Sequence, residues 1–154
     1  MAWSASKIFV TFIEDVLENT AAYNLATDAP KCALYNNTPT PDNTVTTANR
    51  AFNAGQWATA QEVYDAAEWA TGGVVLTSPL STTAAAVYTY DGTDVVSTGT
   101  SATLAAVFGC LVYDDTVAGD YGMCYNYFGG TNSVTDGTFT IVWAGTGIFT
   151  ITLT

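Results

Sequence analysis

The chain has 154 residues, with 14 Asp and Glu against only three Lys and Arg and no His, a formal net charge of −11. Lys7, Lys31 and Arg50 are too few cations to replace the counterions of a phosphate backbone, so nucleic acid is excluded as a partner, and anionic membrane surfaces with it. Without histidine, Ser–His and Cys–His nucleophile pairs and the commonest metal ligand are excluded as well.

Apolar residues make up 49% of the chain and charged residues 11%. That is enough apolar material for one core, and a single domain over 1–154 is expected. No apolar run approaches the roughly 18 residues of a membrane-spanning helix, and the first residues lack the basic region and cleavage site of a secretion signal.

Taken in order, Ser4 or Ser6 is placed to cap a helix over about residues 6–20. Ile8, Phe9, Phe12, Ile13, Val16 and Leu17 recur at the spacing of one helical face, with Glu14, Asp15 and Glu18 off the stripe. Lys31–Tyr35 reads as a short strand. Residues 36–47, with Pro39, Pro41 and Asp42, carry loop chemistry. Residues 48–59 fit no single pattern, and Phe52 and Trp57 are their anchors to the core or to a neighbour. Strands are expected over 61–65, over 74–76 after the Gly72-Gly73 turn, over 84–90 up to the Asp91-Gly92 turn, over 104–113 and over 123–128. Residues 97–102 read as a loop and 114–122 as an acidic turn. Gly129-Gly130 and Asp136-Gly137 read as breaks before the last two strands.

Those last strands carry the clearest pattern. Phe139, Ile141 and Trp143 alternate with polar residues, and so do Phe149, Ile151 and Leu153, which is the period of half-buried strands. An antiparallel hairpin is expected that sets Trp143 against Phe149, Ile141 against Ile151 and Phe139 against Leu153. Its loop is Gly145-Thr146-Gly147, with Gly147 at positive φ. The expected core is Leu34, Leu76, Leu111, Tyr125, Phe139, Ile141, Trp143, Phe149 and Ile151. On that reading Trp143→Ala costs about 3–5 kcal/mol. Short strands between turns, with little helix, give a mainly β fold: an antiparallel β-sandwich or barrel-like domain with one N-terminal amphipathic helix.

No residue set asks for chemistry. Cys32, Cys110 and Cys124 are an odd number in apolar runs and read as buried free thiols, with Cys110 and Cys124 the pair able to face each other. Paired carboxylates hydrolyse glycosides when one is desolvated, but Glu14/Asp15, Asp114/Asp115 and Glu62/Asp65 all read as solvated surface charge. Asp114, Asp115 and Asp120 are oxygen donors for calcium, in a spacing that matches no EF-hand. Trp3, Trp57, Trp69 and Trp143 suit a sugar platform or, more commonly, a core. No catalytic residue, metal or cofactor is expected.

Several stretches together carry a resemblance. They are Lys-Cys-Ala-Leu-Tyr-Asn-Asn-Thr-Pro-Thr-Pro-Asp (31–42), Trp-Ala-Thr-Gly-Gly-Val-Val-Leu (69–76) and Gly-Cys-Leu-Val-Tyr-Asp-Asp (109–115). Asn-Tyr-Phe-Gly-Gly (126–130) follows, leading into Gly-Thr-Phe-Thr-Ile-Val-Trp (137–143) and Gly-Ile-Phe (147–149). The chain resembles small structural proteins of tailed bacteriophages, notably those of actinobacteria. The resemblance implies a non-enzymatic virion protein that decorates or cements the head. It would bind the major capsid protein, or another virion protein, in many copies and meet copies of itself as a homo-oligomer on the particle. A tail structural protein is the alternative within the virion, and a carbohydrate-binding adhesion module the alternative outside it. Candidate contact residues are Ile8 and Phe12 of the helix, Pro39 and Pro41 of the loop, and Phe52 and Trp57.

Overall fold

The structure is a computed structural model that describes residues 3–154. Its elements, in order, are β1 (Lys7–Ile8), α1 (Val10–Glu18), β2 (Lys31–Tyr35), β3 (Glu62–Val63), β4 (Val74–Val75), β5 (Leu80–Ala84), β6 (Val87–Asp91), β7 (Val95–Val96), β8 (Ala102–Tyr113), β9 (Gly122–Gly137), β10 (Thr140–Ile141) and β11 (Phe149–Thr152). The fold is mainly β and antiparallel, sandwich-like, with one α-helix near the N-terminus. The main sheet has the order β1-β9-β8-β2-β3, with β4 also on β2; β11-β6-β5 form a second sheet and β10-β7 a short third pair.

The long strands β8 and β9 lie at the centre because they can be buried on both faces. Side chains alternate across a sheet, and the register Cys110↔Asn126, Leu111↔Tyr125, Val112↔Cys124 sorts them. Leu111, Tyr125, Ala33 and Tyr35 share one face. Trp3, Phe9 and Trp57 cover it, with Trp57 5.1 Å from Tyr35 and 5.8 Å from Tyr125 between ring centroids. Cys32, Cys110, Val112 and Cys124 share the other face. It belongs to the same core as Tyr90, Ile148 and Phe149 of the second sheet and its flank. This is why 109–113 is covered at every position and does not alternate, whereas Ala105 and Ala106 nearer the start of β8 are exposed.

The expected C-terminal hairpin does not form. Thr140–Ile141 pairs with Val95–Val96, and Phe149–Thr152 pairs with Val87–Asp91. Between the two runs only Ala144 and Gly147 bridge, closing a tight turn in which the Gly147 N–H donates to the Ala144 carbonyl at 2.7 Å. Gly147 does take positive φ, 86°. The faces come out as the alternation requires: Ile141 and Phe149 are buried, Phe139, Trp143 and Ile151 half-buried, and the threonines exposed. Leu153, expected opposite Phe139, is 75% exposed. Alternation reports which side of a strand is covered and is silent on the covering strand, and β6 offers Tyr88 and Tyr90 to Phe149.

Three other expectations are corrected. The helix is shorter than 6–20, because Lys7–Ile8 is tied to β9 as a strand first. Phe9 precedes it with no side-chain cap. Ser6 instead accepts a hydrogen bond from the Tyr127 N–H at 3.0 Å. Gly129-Gly130 does not break the chain; β9 runs through it, and five steps along β9 match two along β8 between Val107↔Asn132 and Gly109↔Tyr127. Gly129 at φ 79° absorbs the surplus as a bulge. Residues 84–90 are not one strand but the turn and second arm of the β5–β6 hairpin.

The hairpin turn is Ala85-Ala86, both at positive φ, 48° and 63°. Two such residues in a two-residue loop match the twist of the strands, yet Gly and Asn are the usual occupants because a Cβ is costly there. Ala86→Gly is expected to raise stability by about 1 kcal/mol, read as a higher urea midpoint at unchanged m-value. A loss of stability would show that the turn is not built this way.

Candidate functional site

Each carboxylate pair singled out in the sequence is split by the fold. Asp115 lies 2.7 Å from Lys31 Nζ. Asp114 is fully buried and turns the other way, with Oδ1 accepting from the Thr116 N–H at 2.9 Å and its hydroxyl at 2.6 Å, and Oδ2 unpartnered. Burial pushes the Asp114 carboxyl above its ordinary value; the Thr116 hydrogen bonds oppose this and nearby Asp28 adds to it. The expected solvated charge at Asp114 is therefore a desolvated one. With Asp114 and Asp115 diverging, residues 114, 115 and 120 do not gather as calcium ligands, and no group of three or more Cys, Asp or Glu able to hold a metal occurs among the described residues.

Glu62 and Asp65 also part. Asp65 accepts from the N–H groups of Ala67 and Thr103, at 3.0 Å each, which hold its carboxyl below the ordinary range. Glu62 is buried, with Oε1 accepting from the Gly72 N–H at 2.7 Å and Oε2 unpartnered. Burial raises its pKa to about 7, against the opposing pull of the Gly72 bond. A carboxyl raised on folding binds its proton more tightly in the native state. Its contribution is greatest below the ordinary value of 4.5 and is lost as pH rises through about 7. The loss is on the order of 2–3 kcal/mol. Glu62→Gln is expected to remove this decline, matching wild type near pH 4.5 and exceeding it at pH 8. Parallel unfolding curves for the two proteins across pH would count against a desolvated Glu62.

Of Glu14 and Asp15, Glu14 is solvent-facing but Asp15, expected off the buried stripe, is buried. It meets Arg50, itself fully buried. Arg50 Nη2 donates to Asp15, and Nη1 donates to the Tyr23 hydroxyl at 2.9 Å and to the Gly122 carbonyl. The guanidinium also lies 5.3 Å from the Tyr121 ring centroid. Burial lifts Tyr23 to about 12, with Arg50 pulling the other way. One cation thus ties α1, the 23–28 loop, the 47–50 turn and the start of β9.

That tether fixes what α1 shows to solvent. Phe12 packs inward, 5.0 Å from Tyr23 and 6.0 Å from Phe149 between centroids. The Val10 N–H donates to the Asn43 carbonyl at 2.9 Å, and the Thr11 hydroxyl to that of Val45 at 3.1 Å. With the inner face occupied, the apolar stripe proves wider than the core can cover. Val10 is 54% exposed and Leu17 79%. With Ile8, Phe9 and Ile13 they line an open groove of about 580 Å³, edged by Glu14 and Glu18.

The candidate contact residues fall into two groups. Ile8 is half-buried and lines this groove, and Pro41 is half-buried in the loop. Phe12, Pro39 and Trp57 are buried in the chain's own fold, and Phe52 stacks on Tyr113 at 4.8 Å, so these four anchor the fold and do not face outward. Val10 and Leu17, exposed in the groove, are not among those candidates. Leu17 belonged to the stripe, and no local signal says which part of a stripe a sheet will reach.

A second concavity, of about 510 Å³, lies between β9 and 139–148. Tyr127, Phe128, Asn126, Asn132 and Trp143 line it, and the buried Trp143 indole N–H has no acceptor. The three thiols are free and buried. Burial pushes the Cys32 and Cys124 thiols well up, with Cys110 beside both adding to it. No helix among the described residues is long and apolar enough to cross a membrane. Comparison with protein-family profiles, with curated proteins and with solved structures found no match to this chain.

Proposed function

We propose that this chain is a non-enzymatic structural protein that attaches to a larger protein assembly through the outer face of α1, and that the assembly is the head of a tailed-phage virion. The observation that carries the attachment is the groove in which Val10 and Leu17 are held outward by a helix whose inner face is already filled, over a floor that includes the half-buried Ile8 and Ile13. The virion setting rests on the sequence resemblance. Asp15 is paired with the buried Arg50, Glu62 accepts from the Gly72 N–H, and Asp114, with Asp28 nearby, accepts from Thr116, all contacts within the chain's own fold. A modest apolar contact per copy suffices on a lattice, because many copies act together.

The test is re-addition of purified protein to stripped heads, read as occupancy. Leu17→Asp is expected to lower occupancy at least tenfold with unchanged melting temperature, since surface substitutions of this kind typically cost under about 0.5 kcal/mol. Occupancy of the wild type is expected to hold from low to physiological salt, because an apolar contact is not screened. Undiminished occupancy with Leu17→Asp would reject the helix as the contact. Binding to tails and not to heads would move the protein to the tail.

A carbohydrate-binding role is the second reading, favoured by the uncharged concavity at Trp143. Its aromatic and Asn lining suits a neutral glycan. Binding to a panel of neutral glycans that Trp143→Ala abolishes would favour it.

A further inference from the structure

We infer that β5 is a dimerisation edge: two copies of this chain pair β5 to β5, antiparallel, about a two-fold axis at Thr82. Strand β5 ends the second sheet, pairs with β6 alone, and is exposed at every residue from Leu80 to Ala84. Exposed edges are normally guarded by a charge, a proline or a bulge within the strand. Leu-Ser-Thr-Thr-Ala has none of these, and its pairing to β6 is regular throughout. No charged residue occurs between Glu68 and Asp91. In a chain of net −11, the surface on which two copies can meet without opposing charges is an uncharged one.

The backbone chemistry selects the partner. The two-residue turn makes Ala84 and Val87 a hydrogen-bonded pair, so Thr82 and Leu80 also bond to β6. The N–H and C=O groups of Ser81 and Thr83 then point away from the sheet, and neither residue's backbone has another protein partner among the described residues. An extended strand is the ligand for such a row, and this strand is its own complement. With the axis at Thr82, Ser81 of one copy lies opposite Thr83 of the other and exchanges both hydrogen bonds, and Thr83 does the same with Ser81. Every outward group is satisfied, as an isologous contact requires. Leu80, 59% exposed, then meets Ala84 of the other copy. The edge shares no residue with the α1 groove, so the inference stands whether or not the attachment proposed above is correct.

The test is sedimentation of the full chain from about 1 µM to about 1 mM, the range in which a contact of this size would show. Wild type is expected to pass from monomer to dimer. Thr83→Pro removes an outward N–H and no bond to β6, so it is expected to stay monomeric throughout with a near-unchanged melting temperature. Thr82→Cys places two thiols across the axis in a close, non-hydrogen-bonded pair. It is expected to form a disulfide-linked dimer at least tenfold faster than Thr98→Cys, an exposed loop control. Should Thr83→Pro fail to fold, the cross-linking rate decides. A wild type that is monomeric at every concentration overturns the inference. So does a dimer that Thr83→Pro leaves intact, or a Thr82→Cys rate no greater than the control.

Discussion

Arg50→Ala is expected to lose about 3–5 kcal/mol of stability, read as a fall in urea midpoint at constant m-value. The size follows from what remains. Asp15 would keep its hydrogen bonds from the Thr20 and Thr47 hydroxyls, at 2.7 and 3.1 Å, but would stay buried without a cation. The Gly122 carbonyl and the Tyr23 hydroxyl would each lose a charged donor. Removing both ions tests the same account from the other side. Arg50→Met with Asp15→Leu is expected to recover most of the loss, because a buried ion pair is worth little against apolar packing and its half is costly. A single-variant loss below about 1 kcal/mol would mean that water reaches this site.

Trp57→Ala is the second large loss expected, again about 3–5 kcal/mol. Trp57 is fully buried at the centre of an aromatic cluster, with Trp3 at 5.5 Å, Tyr35 at 5.1 Å and Phe9 at 6.2 Å between centroids, all edge-to-face. Its carbonyl accepts from the buried Tyr35 hydroxyl at 2.8 Å. Truncation would open a cavity between the main sheet and the segments covering it. Trp57→Phe is expected to cost much less, since the indole N–H has no partner to lose. Trp143, given the larger role from the sequence pattern, is half-buried, and Trp143→Ala should cost less than Trp57→Ala. The reverse order, measured by denaturant titration, would contradict the packing described here.

The two tryptophans show how far the site was legible. Trp143 sits in a clean alternation, which announces a covered strand face, and Trp57 sits in residues 48–59, which have no period at all. Yet the irregular segment lies deepest, because 47–61 folds back over the open face of β2, β8 and β9 as two short helical turns. Irregular backbone carries no periodic signature, so its burial cannot be read locally. The same holds for Asp15 and Arg50, which are 35 residues apart. Nothing in either neighbourhood names the other. The groove on α1 was half legible: the stripe from Ile8 to Leu17 was plain in the sequence, but its outward portion was not.

What the sequence determined by itself is what depends on neighbours along the chain. The mainly β class, a helix near the N-terminus, the positive φ of Gly147 and the side of each C-terminal strand that is covered all follow from local sterics and from alternation. Which strands pair was decided only by the tertiary structure. Both C-terminal runs can satisfy the same backbone hydrogen bonds with each other or with a distant strand. Val95–Val96 and Val87–Asp91 won because they carry Phe149 and Ile141 into the common core, which a free-standing hairpin could not do. Backbone hydrogen bonding is nearly indifferent to the partner's identity, whereas burial of apolar area is not, and that area exists only once the other elements are in place.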